Sequence, residues 1–255
     1  MPRKILVLFF FIQLMLPSIT ICEHAAVLKS SVTILDKNPI TESLLTILRD
    51  TSTSCNNFQE ATHKLTTALA FKAGTFLSSE NKKVQTPTNA VFDGVKIKKN
   101  PILVPVLRAG LSMLSVFQTI FKGASVGMVG HKRNEETAAP ILYYLNLPSI
   151  ENDDTIIILE PMLATGGSLS LVISLLKQAG ALEKNIIVVT VIGAPQGVQR
   201  LLTHFPQVRI VVAALDPELN DKFYIVPGLG DFGDRYFGND NKPDFEALQP
   251  KGPAS

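Results

Sequence analysis

Apolar positions along the chain fall into two alternating patterns: short uninterrupted runs, and segments in which they recur every three or four residues. The first pattern predicts buried strands and the second amphipathic helices. Leu44, Leu45, Ile47 and Leu48 predict one helix, and Phe58, Ala61, Leu65, Leu69 and Phe76 a second, joined through the polar run Thr51, Ser52, Thr53, Ser54. Residues 81–99 are polar, turn-rich and β-compatible, which predicts a hairpin arm. Residues 101–106 read as a strand, 110–121 as an apolar helix and 125–130 as another strand. The run 155–159 is a strand again, followed by a short loop and a helix through Val172, Ile173, Leu175 and Leu176 that Gly180 stops. Residues 186–192 are a continuous β-branched run, and a helix to His204 and a strand over 208–213 follow. This alternation predicts an α/β fold, a parallel sheet flanked by helices and joined by right-handed crossovers. Residues 224–235 are too rich in glycine for regular structure and are expected to form a loop.

The two ends differ from this pattern. Arg3 and Lys4 precede an apolar run from Ile5 that breaks at Pro17, so residues 1–22 have the anatomy of a secretory leader. The run is shorter than the ~20 residues that a membrane-spanning helix needs. A start codon assigned too far upstream, or an apolar helix that is never processed, gives the same pattern. Residues 239–255 are polar, carry three prolines, and are expected to be a disordered tail.

Composition narrows the function classes. A chain of 255 residues with 46% hydrophobic content can bury a substantial core. Its 24 basic and 22 acidic residues leave a net charge of +2, which gives no global electrostatic reason to expect a nucleic-acid partner. The cysteines, Cys22 and Cys55, make neither a disulfide framework nor a metal-ligand spacing. The phosphate loop GxxxxGK[ST], the dinucleotide fingerprint GxGxxG, HExxH, CxxC and GxSxG are all absent, which removes support for P-loop hydrolysis, hydride transfer and the common zinc hydrolases.

The chemistry-bearing stretch is Glu160, Pro161, Met162, Leu163, Ala164, Thr165, Gly166, Gly167, Ser168, set between a strand and a helix. Adjacent glycines let the backbone turn sharply beside a ligand, and hydroxyls stand next to the free N–H groups of a helix start, the makings of a phosphate cradle. An ordinary strand-to-helix crossover with a Ser or Thr cap reads the same way. Arg108 follows the strand at 101–106, at the end of the sheet where open parallel sheets bind ligands; a surface carboxylate is its other natural partner. Arg133, in the charged run 131–137, could reach the same anion. The spaced glycines at 228, 230 and 233 expose backbone groups able to read a planar base edge, or simply make a surface loop.

Taken together, residues 103–111, 133–137, 161–168 and 224–238 resemble the uracil phosphoribosyltransferase family, in order and at family-like spacing over residues 34–238. The resemblance implies the type I phosphoribosyltransferase fold, with a small hood and a β-arm. It implies conversion of uracil and 5-phosphoribosyl 1-diphosphate to UMP and diphosphate, with Mg2+ carried by the donor. In family terms Arg108 and Asp231 are the catalytic residues, and Arg108 and Arg133 engage the diphosphate. Residues Pro161 to Ser168 bind the donor, with Ala164 to Ser168 on the 5-phosphate and Glu160 facing the ribose hydroxyls. Ile225, Gly230, Asp231 and Phe232 surround uracil, and Asp231 also meets the donor or its Mg2+. No metal site built from protein ligands alone is implied. GTP activation and a homodimer or higher homo-oligomer, with 81–99 as the contact arm, are further implications, and the donor's origin inside cells implies a cytoplasmic protein, membrane-associated only if the leader is retained. The chain departs from the family in having Glu160 for the usual Asp, Phe71-Lys72 for Tyr-Glu, Ala139-Pro140 for Glu-Pro, and residues 129–132 for a more apolar approach to the arginine. The alternative is a homologue that binds uracil or phosphoribosyl ligands without turnover, as a regulator or an exported binding protein.

Overall fold

The uninterrupted apolar runs lie side by side at the centre of the molecule, where a sheet is covered on both faces. The structure is a computed structural model that describes residues 31–133 and 140–239. The leader at 1–22, residues 134–137, the side chain of Arg133 and the tail beyond Asn239 lie outside the described residues.

In chain order, β1 (Val32–Ile34), α1 (Pro39–Arg49) and α2 (Cys55–Gly74) precede the arm, β2 (Ser79–Gln85) and β3 (Val91–Ile97). Then come β4 (Ile102–Leu107), α3 (Leu111–Ile120), β5 (Met128–Arg133), β6 (Pro140–Asn146), β7 (Ile156–Leu159), β8 (Met162–Leu163) and α4 (Gly167–Gln178). The chain continues through β9 (Ile186–Gly193), α5 (Pro195–His204), β10 (Arg209–Leu215), β11 (Glu218–Leu219), β12 (Ile225–Val226) and α6 (Phe232–Phe237). The main sheet runs β1-β10-β9-β7-β4-β5-β6, with β8 paired to β9. All its pairings are parallel except β5 with β6.

Alternation along the strands divides the core into two layers. Leu103, Ile157, Leu159, Ile187 and Val189 pack beneath α1, α2 and α3, against Leu48, Phe58, Leu65, Met113 and Phe117. Their neighbours Val104, Ile156, Ile158, Ile186 and Val188 face α4 and α5, against Val172, Leu176 and Leu201. Every residue of β7 and β9 is buried, which is why both read as continuous apolar runs. The helices are fixed locally as well. Asn38 closes a capping box with Thr41 ahead of Pro39, and the Ser54 side chain accepts from the Asn57 N–H, caps worth about 1 kcal/mol each.

Three expectations are corrected. The strand expected at 125–130 is β5, three residues later, and His131 to Arg133 belong to it rather than to a charged loop. It pairs with β6, which breaks the all-parallel pattern at that edge. The segment 224–235, expected to be irregular, contains β12, antiparallel to β11, and the start of α6, whose N-terminus Asp231 caps by accepting from the Asp234 N–H.

Candidate active site

All the loops that leave the carboxyl ends of β4 and β7 open on the same rim of the sheet. After β4 the chain turns through Arg108, Ala109 and Gly110 into α3. Arg108 is half exposed, and its Nη2 lies 2.9 Å from the Asp234 Oδ1. Both readings of this arginine thus meet in one place: it has a carboxylate partner, and it stands at the rim. An exposed pair of this kind is worth about 0–1 kcal/mol, so an anionic ligand can displace it.

The connection from β7 to α4 supplies the second wall. Gly166 is the N-cap residue of α4, with φ +76, a left-handed conformation costly for other residues. A Cβ there would lie 2.9 Å from the Gly197 carbonyl oxygen. Among the described residues no side chain caps the helix, so its first N–H groups keep their donor capacity there, beside the positive end of the helix dipole. The alternative of an ordinary crossover called for a Ser or Thr cap. Thr165, Gly167 and Ser168 remain partly exposed around this start. Pro161 and Leu163 are buried and serve the scaffold: the Pro161 carbonyl accepts from Val191 and Ile192, and that of Leu163 from Ala194.

The third wall is the segment from β12 to α6. Glu160, Met162 and Ala164 line one cavity of about 340 Å³ together with Ile225, Gly230, Asp231 and Phe232. Phe232 is anchored from behind, edge-on to Phe58 with 5.1 Å between ring centroids. Burial pushes the Glu160 carboxyl up to about 8, the Asp231 carboxylate adds to the rise, and the Met162 N–H bonded to it acts in the opposite direction. Two carboxyl groups therefore share the cavity wall, with Glu160 set to hold a proton at neutral pH.

The sequence pattern of the uracil phosphoribosyltransferase family matches residues 34–239. The chain belongs to that family. It is 41% identical over 209 residues to a uracil phosphoribosyltransferase of Finegoldia magna, covering 82% of this chain and 99% of that one. A Bacillus licheniformis uracil phosphoribosyltransferase is 42% identical over 201 residues, covering 79% of this chain and 95% of its own. Among solved structures, the AQ2163 protein of Aquifex aeolicus is similar with a TM-score of 0.74 and 34% identity, covering 82% of this chain and 98% of that one. An adenine phosphoribosyl transferase from Trypanosoma brucei shares the fold alone, with a TM-score of 0.52 at 12% identity. The fold is that of the type I phosphoribosyltransferases.

Some of the residues at this cavity carry no site signal in the sequence. Ala109, Lys222 and Phe223 also line the cavity and Asp234 holds Arg108; Gly233, one of the spaced glycines that the sequence offers for a base edge, lines it as well. Only the repeated Gly-Asp pattern of residues 230–234 could have signalled Asp234; Lys222 and Phe223 sit in a polar turn with no distinguishing mark. Arg133 ends β5, and its side chain is outside the described residues. The acidic group Glu151, Asp153 and Asp154 precedes β7, at the opposite end of the strand from this cavity, and the Lys99 ammonium lies 2.8–2.9 Å from each carboxylate. A cation already fills that cluster.

Proposed function

We propose that the protein is a uracil phosphoribosyltransferase, which joins uracil to the ribosyl carbon of 5-phosphoribosyl 1-diphosphate and releases UMP and diphosphate. One observation carries the reading: Ala164, two residues before the uncapped start of α4, lines the same cavity as Gly230, Asp231 and Phe232. A phosphate at the helix start and a flat ring against the glycine-containing loop are then neighbours. Ala164, Thr165, Gly166, Gly167 and Ser168 hold the 5-phosphate end of the donor, Met162 lines the cavity beside it, and Glu160 faces the ribose hydroxyls. Pro161 and Leu163 keep that loop on the sheet. Ile225, Gly230 and Phe232 bound the uracil ring and read it largely through backbone atoms.

Loss of diphosphate leaves positive charge on the sugar and develops negative charge on the departing oxygens. Arg108 stands at the rim to meet those oxygens, and one such donor is commonly worth about 3 kcal/mol, or ~10²-fold in rate; Arg133 ends the neighbouring strand and is assigned to the same diphosphate by the family resemblance. No covalent nucleophile is needed. The residues present fit Mg2+: Asp231 is exposed, one of its oxygens accepts from the Asp234 N–H, and a hard cation takes carboxylate and phosphate oxygens. When bound with the donor, the ion neutralises charge on the leaving group.

Formation of UMP from labelled uracil, donor and Mg2+, compared across pyrimidine bases, tests the reading. Uracil binding without product would instead support the non-catalytic homologue. Adding GTP to the same assay tests activation, which stimulation of the rate would support. The donor's origin inside cells supports a cytoplasmic location. Among the described residues no helix is long and apolar enough to cross a membrane. The arm of β2 and β3 leaves Val84, Val91, Phe92, Val95 and Ile97 exposed, and we take it as the contact surface of a homo-oligomer.

A further inference from the structure

Behind the loop that faces uracil lies a charged pair that touches no part of the cavity described above. Arg49, the last residue of α1, forks onto Asp216 just after β10, with Nη1 2.8 Å from Oδ2 and Nη2 2.6 Å from Oδ1. Both then converge on one residue. The Gly228 carbonyl accepts from Arg49 Nη1 at 2.8 Å, and the Gly228 N–H donates to Asp216 Oδ2 at 2.8 Å. Gly228 is buried at φ +62, where a Cβ would lie 2.1 Å from the Ile225 carbonyl oxygen. The chain must bend back at this point, two residues before Gly230. Asp216 is itself tied to the sheet, its N–H donating to the Gly193 carbonyl.

The magnitudes argue against a purely stabilising role. The Asp216 side chain is 4% exposed and that of Arg49 25%, and removing a charge pair from water costs about what the attraction returns. A well-packed apolar pair would hold α1 against the sheet as well. What an apolar pair cannot do is fix the two peptide groups that flank one residue, through its N–H and its carbonyl, in a set orientation.

We propose that Arg49 and Asp216 are positioning residues for the base subsite, holding Gly228 so that the backbone from Gly230 to Phe232 presents its groups to uracil. The inference rests on the function proposed above. Arg235 adds a second tie between the same elements, donating to the carbonyls of Leu229, Leu48 and Asp50. The loop is thus braced from α1 and from the end of β10 while its front face stays open to the cavity.

Steady-state UMP formation by the full chain tests the assignment, with uracil varied at saturating donor and donor varied at saturating uracil. Arg49→Met alone would strand a buried carboxylate, so it is combined with Asp216→Asn, whose amide oxygen still accepts from Gly228 and leaves no unpaired charge. The expected result is a rise of about tenfold in the KM for uracil with the KM for the donor changed by less than about twofold, the loss of one charge-assisted bond. Arg49→Lys keeps the charge without the fork and is expected to fall between wild type and the double variant. Thermal melting checks folding, and should the double variant fail to fold, Arg49→Lys decides alone. An unchanged KM for uracil in a folded variant, or an equal rise in both KM values, overturns the inference and leaves the function standing. A wild-type chain that makes no UMP overturns both.

Discussion

Arg108 lies beside Asp234 in a contact half open to solvent on the arginine side and worth about 1 kcal/mol, against the ~3 kcal/mol expected of a guanidinium that, as proposed above, meets charge developing on diphosphate. The exchange is downhill. Arg108→Ala is therefore expected to lower turnover by ~10²-fold with the melting temperature nearly unchanged, and steady-state kinetics with a thermal melt check it. A full rate in that variant removes the residue from the chemistry. Glu160 gives a second test at this scale. Its carboxyl is raised from 4.5 to about 8 by burial first and by Asp231 second, so between those values the folded protein keeps a proton that the unfolded chain has released. Stability conferred by this group falls as pH rises through that window. Glu160→Gln is neutral throughout, so the variant should gain on wild type in melting temperature from about pH 5 to about pH 8. Parallel curves would mean that the carboxyl titrates near its ordinary value. Arg108, Glu160 and Asp231 were legible because each sits in a short stretch that announces a turn. Asp234 as the partner of Arg108 was not, since the two lie 126 positions apart and nothing in the chain couples them.

The start of α4 shows which elements a sequence can and cannot display. Strand, glycine turn and helix were readable from periodicity alone, because β7 is buried on both faces and α4 on one. Less visible was β6: Ile141, Leu142, Tyr143, Tyr144 and Leu145 make an apolar run, yet all five are exposed on the antiparallel edge strand, so the rule that such a run is a buried strand misplaces it. Nor was α6 visible: six residues are too few to show a helical period, and packing of Phe232 on Phe58 holds it in place. At α4 the decisive residue is Gly166. Gly166→Ala forces a Cβ into a left-handed site and toward the Gly197 carbonyl, with an expected loss of more than about 1 kcal/mol in stability. Turning that N-cap away also misaims the free N–H groups. The KM for the donor should rise more than the KM for uracil, and a uniform loss of activity with both KM values unchanged would argue against a phosphate at this helix start.

At the scale of the whole molecule, the β-branched runs at 155–159 and 186–192 made the parallel core legible, whereas strand order emerges only from contacts between distant segments. The arm was legible as a hairpin for the same reason that it stands apart: among the described residues its two strands pair with each other and with no other strand. A lone two-stranded ribbon is marginally stable in water. Here Val91, Val95 and Ile97 project on one face and Val84 and Phe92 on the other, all exposed. Such surface is favourable only when covered, at roughly 25 cal/mol for each Å² removed from water. Val95→Asp adds a charge to an already exposed position, so within one protomer it should change stability by no more than about 0.5 kcal/mol. Across an interface the same carboxylate would be desolvated without a partner, at a cost of several kcal/mol. With the arm as the proposed contact, the wild-type chain is expected to sediment as a dimer or larger, and the variant as a monomer at the same concentration. Equal sedimentation of the two proteins would show that the arm does not carry the contact.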